Sequence, residues 1–405
     1  MKKICIIGAG LGAASLTRAA EDAIGQSGAV FGAGRLLSEY SGYTKGKRCE
    51  AKYAAEDIIS DISDADENCF SVLVSGDPGF YSASLNICRA FEEEEAKAPG
   101  RYEVTVYPGI SSLNAMFSAL KLPWQDAALC SLHGRDANAA DTVRRNRYTF
   151  FLTGKNTGVL SEKLCSAGYG DIKLYVGEDL GSTCENVFSC TAAELAEKEL
   201  SSLTVVVAEN PDADASVPAG LADESFVRGD VPMTKSEIRA VIMSRLRIKP
   251  EMTCADIGAG TGSCTVEMAL AAWKGKVYAI DPDPEAVDLI RKNCRNFHIG
   301  NVTAEEGLAP EGIRDWPAMD AVFIGGSKGN MEEIFGAILA KNPKARIVTS
   351  AIVLQTLQSA MQAFKKHGID PEIVQIGAAA SRKVGGMDMM MARNPIFIVS
   401  GGGER

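Results

Sequence analysis

The sequence lacks any long hydrophobic run: nothing in its 405 residues approaches the roughly 20 apolar residues of a membrane-spanning helix. Its opening, MKKICIIGAG, has two lysines and a short apolar run. Glycines follow at once, where a signal peptide needs a longer apolar region and a small-residue cleavage site. A cytoplasmic protein with no membrane partner is expected. Eleven cysteines occur, but no two form a CxxC pair, so the ligand spacing of a zinc or iron–sulfur site is missing. Cys5, Cys254 and Cys264 sit in apolar runs and read as buried reduced thiols, with no metal. A basic excess is missing too. The 42 Lys and Arg face 52 Asp and Glu, which weighs against a nucleic-acid partner. No internal repeat and no Ser/His/Asp array is visible.

What is present is a globular composition long enough for two or three domains. Charge divides unevenly. Residues 1–231 carry 21 basic against 33 acidic side chains, and residues 232–405 carry 21 against 19. A polyanionic small molecule is still compatible with this, provided basic side chains cluster locally.

Two segments play the same part. ICIIGAGLG (4–12) and TCADIGAGTGS (253–263) each read as a buried strand entering a glycine-rich turn, followed by a helix rich in Ala and Leu. A doubly wound sheet normally starts once, so two starts predict two α/β domains. We place them at 1–208 and 232–405. The join is 209–231, rich in Asp, Ala, Pro and Gly and without a sustained apolar period. After it, 232–248 reads as a helix with Ile238, Val241, Ile242 and Leu246 on one face. Thr234 and Glu237 have capping-box spacing. The run EEEE at 92–95 reads as a solvated helix face.

The C-terminal motif says most. Gly258, Ala259, Gly260, Thr261 and Gly262 form a GxGxG turn at a helix start, where backbone can approach a ligand closely. The next strand, KVYAID, ends in Asp281, an acid able to accept hydrogen bonds from both ribose hydroxyls. This geometry alone does not separate NAD from S-adenosylmethionine (SAM). Three features favour SAM. Asp256 stands two residues before the first glycine, where a methyltransferase places a carboxylate near the cofactor's amino end. The pattern is GxGxG, not GxGxxG. No basic residue awaits a diphosphate.

Further strings make the likeness specific. PMTKSEIRAVIMSRL, DIGAGTGS, AIDPDPEAV, EEGLAPE, VFIGGSKGN and SRKVGGMDMMMARNP resemble the decarboxylating precorrin methyltransferases of cobalamin synthesis over nearly all of 232–405. The resemblance implies a Rossmann-like class I fold. It also implies SAM contacts at Thr234, the Gly258–Gly262 loop, Asp281 and the turn from Gly307 to Ala309. The loop Gly325, Gly326, Ser327 would face a corrinoid pocket.

In the N-terminal half IGAGLGAASLT, with Gly8, Gly10, Gly12 and Thr17, is a weak signal alone. SGDPGFYSAS (75–84), YPGISSLNAMFSALKLPW (107–124) and SLHGRD (131–136) add small polar residues where strands should end, opening backbone groups to a ligand. Together with GEDLGSTCENVFSCTAAELAE (177–197) they resemble the tetrapyrrole methylase family, in its C-5 precorrin branch, over about 1–208. That implies a two-subdomain α/β fold and SAM near Gly8, Gly10, Gly76, Asp77, Gly109, Ser111 and Ser112. One departure is plain: the family commonly has Pro and Asp after the second glycine, and here stands Leu11-Gly12-Ala13-Ala14.

Single residues keep two readings. Asp77 either caps the GDPG turn or meets the cofactor. His133 is a core histidine or a substrate contact, and Arg135 a surface residue or a clamp for a propionate. Arg382, Lys383 and Arg393 form a solvated basic face, or point inward to the carboxylate arms of a corrinoid. Met387 and Met389 to Met391 read as strand packing. Taken together, the two resemblances imply a SAM-dependent enzyme that methylates C-5 and C-15 of a precorrin or its cobalt form and removes the C-12 acetate carboxyl, and that associates as a homo-oligomer. A methyltransferase of another small molecule or RNA, a NAD- or FAD-dependent oxidoreductase, and a corrinoid or SAM sensor are the rival readings of the glycine loops alone.

Overall fold

The fold was obtained as a computed structural model, which describes residues 1–132 and 137–403. Two five-stranded sheets make the N-terminal half. The first holds β1 (Lys2–Gly8), β2 (Ala29–Gly32), β3 (Arg48–Glu50), β4 (Cys69–Val74) and β5 (Tyr102–Tyr107), all parallel, in the order β3-β2-β4-β1-β5. β1 is central and reads as an uninterrupted apolar run because helices cover both faces of the sheet; Ile4, Ile6 and Ile7 are wholly buried. Thr17 starts the first helix, Arg18–Gln26, by accepting a hydrogen bond from the Ala20 amide at 3.2 Å.

The second sheet is mixed. β6 (Ala128–Ser131), β7 (Tyr148–Leu152), β8 (Lys173–Glu178), β9 (Asn186–Thr191) and β10 (Thr204–Glu209) lie in the order β6-β7-β10-β8-β9. β10 runs antiparallel to both neighbours. The second strand start expected from the glycine pattern begins a third sheet. It contains β11 (Thr253–Ile257), β12 (Lys276–Asp281), β13 (Val302–Glu306), β14 (Ala321–Ile324), β15 (Arg346–Ala351) and β16 (Glu372–Ile376). After the two-stranded hairpin β17 (Ala379–Val384) and β18 (Met387–Ala392), β19 (Ile396–Gly401) returns to it. The order is β13-β12-β11-β14-β15-β19-β16, with β19 antiparallel to both neighbours. Strand order reverses between β11 and β14, which leaves a crevice at their carboxyl ends.

Residues 209–231 are irregular but not loose. Asn210 Nδ2 donates to the Val143 carbonyl and Arg144 to the Asp214 carbonyl, both at 2.9 Å, holding the first part to the N-terminal half. The amides of Gly220 and Leu221 donate to Glu267 at 2.9 and 2.8 Å, and Val227 N to Asn293 Oδ1 at 2.8 Å, holding the second part to the C-terminal half. Arg239, wholly buried, ties this together: Nε lies 2.7 Å from Glu267 and Nη1 3.3 Å from Asp223, while Nη2 donates to the Leu221 carbonyl.

Three local expectations change. The helix after the join is Ser236–Leu246, shorter than 232–248, and Thr234 does not cap it. Asp223 takes that part, accepting from Ser236 N at 3.0 Å, while Glu237 is drawn away to Arg393 at 2.6 Å. Within EEEE, Glu95 accepts from the amides of Gly100, Arg101 and Tyr102, pinning the turn after its helix. The methionines of β18 are in a strand but not packed: Met387 is 72% exposed and Met389 to Met391 are exposed as well. A two-stranded hairpin outside the main sheet has no layer to cover it. No helix among the described residues is long and apolar enough to cross a membrane.

The halves meet at the strand ends opposite the glycine loops. The Tyr169 ring stacks on His298 with centroids 4.1 Å apart, and His298 Nδ1 donates to the Ala167 carbonyl at 3.0 Å. Asn138 Nδ2 donates to the Trp273 carbonyl at 3.0 Å, and the Arg145 guanidinium lies 4.5 Å from the Trp273 ring centre.

Candidate active sites

The C-terminal cleft, about 550 Å3, opens at the strand-order reversal. The expected residues converge there. Thr234, Gly258, Ala259, Gly260, Asp281, Gly307, Ala309, Gly325, Gly326, Ser327 and Arg393 all line it. Gly258 has φ +71°, and a Cβ on it would sit 2.6 Å from the Gly326 amide nitrogen, so the loop after β14 touches the loop after β11 only because residue 258 has no side chain. Thr261 and Gly262 lie behind the lining: Thr261 is wholly buried and Gly262 begins the helix Ser263–Ala271. Asp281 Oδ2 accepts from Gly260 N at 2.9 Å and Oδ1 from Asp283 N at 3.0 Å. A carboxylate has about four lone-pair sites, so Asp281, which lines the cleft, can still accept from a ligand's hydroxyls.

Asp256 departs from expectation. Its carboxyl is wholly buried beneath the loop and is not part of the cleft wall. Burial pushes its pKa up to about 7 and the nearby Asp281 charge adds to this, while Thr265, donating at 2.6 Å, opposes it. Oδ1 of Asp256 and Oγ1 of Thr261 have no hydrogen-bond partner. Burial likewise holds the neighbouring Cys264 thiol well above its usual range, keeping it protonated.

Arg393 reaches the cleft mouth, held by Glu237. Arg382 does not; it is exposed on the hairpin with Lys383. The mouth also carries a feature that sequence reading missed. Ile352 lines the cleft at 60% exposure, and Val353 and Leu354 follow it at 54% and 68%. Three consecutive aliphatics after a strand ending in Ala351 were the available signal.

The N-terminal cleft, about 360 Å3, lies between the two N-terminal sheets. Gly10, Gly12, Ser75 and Ser112 line it from the first sheet, and Leu152, Gly154, Asp179 and Thr204 from the second. The other expected residues stand just behind. Gly10 and Gly76 pair through their backbones, with Gly10 N donating to the Gly76 carbonyl at 3.0 Å. A Cβ on Gly8 would lie 2.7 Å from Gly109 N, so the tips of β1 and of β5 close on each other. Asp77 braces both turns, accepting from Gly79 N at 2.8 Å and Gly109 N at 3.1 Å. Ser111 caps the helix Ser112–Leu120 in a reciprocal pair with Asn114. Leu11, in the departure from the usual loop, packs against Gly181 of the second sheet's subdomain. His133 and Arg135 lie outside the described residues. Among the described residues, no group of three or more His, Cys, Asp or Glu is placed to hold a metal ion.

Comparison with known proteins accords with this two-cleft architecture. The family described as "Tetrapyrrole (Corrin/Porphyrin) Methylases" matches residues 3–196, and "Precorrin methyltransferase domain" matches 225–400. A probable cobalt-precorrin-6B C(15)-methyltransferase (decarboxylating) of Sulfurisphaera tokodaii is 40% identical over 189 residues, 45% of this chain and 96% of that protein. A precorrin-6Y C(5,15)-methyltransferase [decarboxylating] of a Sinorhizobium species is 28% identical over 394 residues, 95% of this chain and 92% of that protein. The chain belongs to the decarboxylating precorrin methyltransferases. It is an enzyme of cobalamin biosynthesis that transfers a methyl group. A solved precorrin-6Y methyltransferase of Geobacter metallireducens, 34% identical, covers 46% of this chain and 96% of its own, with a TM-score of 0.43. In this precorrin methyltransferase the C-terminal match spans the whole of its cleft, and the N-terminal match spans most of the other, which Ser202 to Val205 complete.

Proposed function

We propose that the methyl donor is SAM in both clefts. The C-terminal half would methylate C-15 of precorrin-6B, or its cobalt form, and remove the C-12 acetate carboxyl; the N-terminal half would methylate C-5. The domain limits 1–208 and 232–405, and action in the cytoplasm as a homo-oligomer, belong to the same reading. The observation that carries it is the convergence of Asp281 with glycine-rich loops at the strand-order reversal. The donor set fits a nucleoside bearing a cationic sulfur: a carboxylate for ribose hydroxyls, open backbone at a helix start, and room within the roughly 300–1,000 Å3 of small-molecule sites.

SAM would supply a methyl group already activated on a sulfonium. The chain therefore needs no nucleophile of its own; its work is to hold methyl and carbon in line and keep water out. Asp281 fixes the ribose, and the Gly258–Gly326 contact closes the floor. Arg393, at the mouth, is placed to pair with a carboxylate arm of the macrocycle. When the acetate leaves as CO2, the electron pair of the broken C–C bond passes into the conjugated ring and a proton later takes its place.

The test is mass spectrometry of the product from precorrin-6B and SAM. Two added methyl groups with loss of CO2 support the reading. In the full chain with Asp281→Ala, methylation at C-5 should persist while C-15 methylation and CO2 release fall. Loss of C-5 methylation alone in that variant would reverse the assignment.

A further inference from the structure

Each cleft lies at the end of its sheet that is remote from the contact between halves. In the second N-terminal sheet, Thr204 of β10 lines the cleft, whereas Glu209 at the other end of the same strand lines the cavity between the halves. β8 repeats this in reverse: Lys173 borders the cavity, and Glu178 leads to Asp179 in the cleft. The C-terminal half has the same polarity. Asp283, just before the helix Pro284–Asn296, lines its cleft, whereas Asn296 and His298 border the cavity. β12 agrees, with Asp281 in the cleft and Lys276 near Asn138 and Lys163 of the N-terminal half.

These elements set the separation. A six-residue strand at about 3.3 Å per residue covers roughly 20 Å. A 13-residue helix at about 1.5 Å per residue covers roughly 20 Å more. End to end, these elements put about 40 Å between one cleft and the other, and each cleft lies at the strand ends remote from the junction. A His298–Tyr169 stack, an Asn138 hydrogen bond and the Arg145–Trp273 contact bridge that junction. The cavity there, about 820 Å3, is lined by Arg144, Asp171, Asp212 and Asp214 among others, and shares no lining residue with either cleft.

We propose that the singly methylated macrocycle leaves the chain after its first reaction and reaches the second cleft through solvent. The fusion would then supply two activities in equal amounts, with no passage between them. This rests on the proposed assignment of one methylation to each half. A macrocycle held in one cleft is not tethered and so cannot swing to the other, and the clefts share no lining residue through which it could pass.

Isotope dilution with the wild-type full chain tests this. The chain converts labelled precorrin-6B with SAM in the presence of a tenfold excess of the unlabelled, purified singly methylated intermediate. Free exchange predicts a fall of roughly tenfold in labelled doubly methylated product, since transfer inside one particle would act as a high local concentration and resist dilution. It also predicts a lag in doubly methylated product that shortens as chain concentration rises. Label passing undiluted into product would overturn the inference, whether the hand-off is within a chain or between associated copies. Failure of the underlying assignment looks different: the unlabelled intermediate added alone would then gain no second methyl.

Discussion

Gly260 donates its amide hydrogen to Asp281 Oδ2 at 2.9 Å, so the glycine loop after β11 and the tip of β12 form one hydrogen-bonded unit. A ligand accepted by Asp281 thus meets a loop already held in place.

Replacing Asp281 by Ala should remove both this brace and the acceptor for the ligand's hydroxyls. Hydrogen bonds to charged groups are worth about 1.5–3 kcal/mol each, so S-adenosylhomocysteine affinity in the C-terminal cleft should fall at least about tenfold. Calorimetry should then resolve one weakened and one unchanged site. Two weakened sites would show that the clefts are not independent.

Asp256 should make stability depend on pH in an unusual direction. Its folded pKa, about 7, lies well above the 3.8 usual for an aspartate. The folded state therefore holds the proton more tightly, and the contribution to stability is full below about pH 4 and is lost as pH rises towards about 7. Asp256→Asn keeps an acceptor for Thr265 and abolishes the titration. The melting temperature of the variant minus that of wild type should rise between pH 5 and pH 8. A difference independent of pH would mean that Asp256 is ionised in the fold throughout.

Arg239→Met should destabilise the C-terminal half by about 3–5 kcal/mol, because it strands the buried carboxylate of Glu267 without its partner. Glu267→Gln added to it should restore part of the loss, since the amide oxygen still accepts from Gly220 or Leu221 while the charge is gone. Urea unfolding of the two variants measures both effects. Equal midpoints for single and double variants would place the cost elsewhere.

Those residues also show where sequence reading reaches its limit. The glycine loops were legible because their function is local: a strand, a turn with φ above zero and a helix start are all set within about ten residues. Asp281 was legible for the same reason, as the last residue of a strand at a fixed distance from the loop. Asp223 was not. It caps a helix 13 positions away and pairs with Arg239, and nothing nearby competes with Thr234 for the capping role until the chain is folded. Asp77 and Ser111 carry the expected small polar character, yet geometry gives them turn and cap duties behind the cleft. Met389 to Met391 form an unbroken apolar run with no polar alternation to mark an outer face, so whether a layer covered them depended on where the hairpin went.

That exposure has a measurable counterpart. Met389→Ala should change stability by no more than about 0.5 kcal/mol, as for other surface positions. Met268, wholly buried in the helix beside β11, should cost about 2–5 kcal/mol when cut to Ala. Chemical unfolding of the two variants compares them directly.

The aliphatic lip at the C-terminal cleft should govern the macrocycle and not the donor. Ile352 lines the cleft together with Arg393, and Val353 and Leu354 continue its exposed apolar surface, an arrangement matched to a ring that is apolar on its faces and carboxylated at its rim. Fully burying such a side chain gains about 1.5–3 kcal/mol, so Ile352→Ser should raise KM for precorrin-6B by about tenfold or more. S-adenosylhomocysteine affinity should stay unchanged if, as proposed, the donor's ribose is held at Asp281 and not on the lip. Leu354→Ser should act in the same direction, since its side chain is even more exposed, at the same end of β15. Steady-state kinetics at saturating SAM separates KM from kcat. An unchanged KM in both variants, or a change of oligomeric state on gel filtration, would assign the lip to a contact between copies of the chain and leave Arg393 to orient the ring without it.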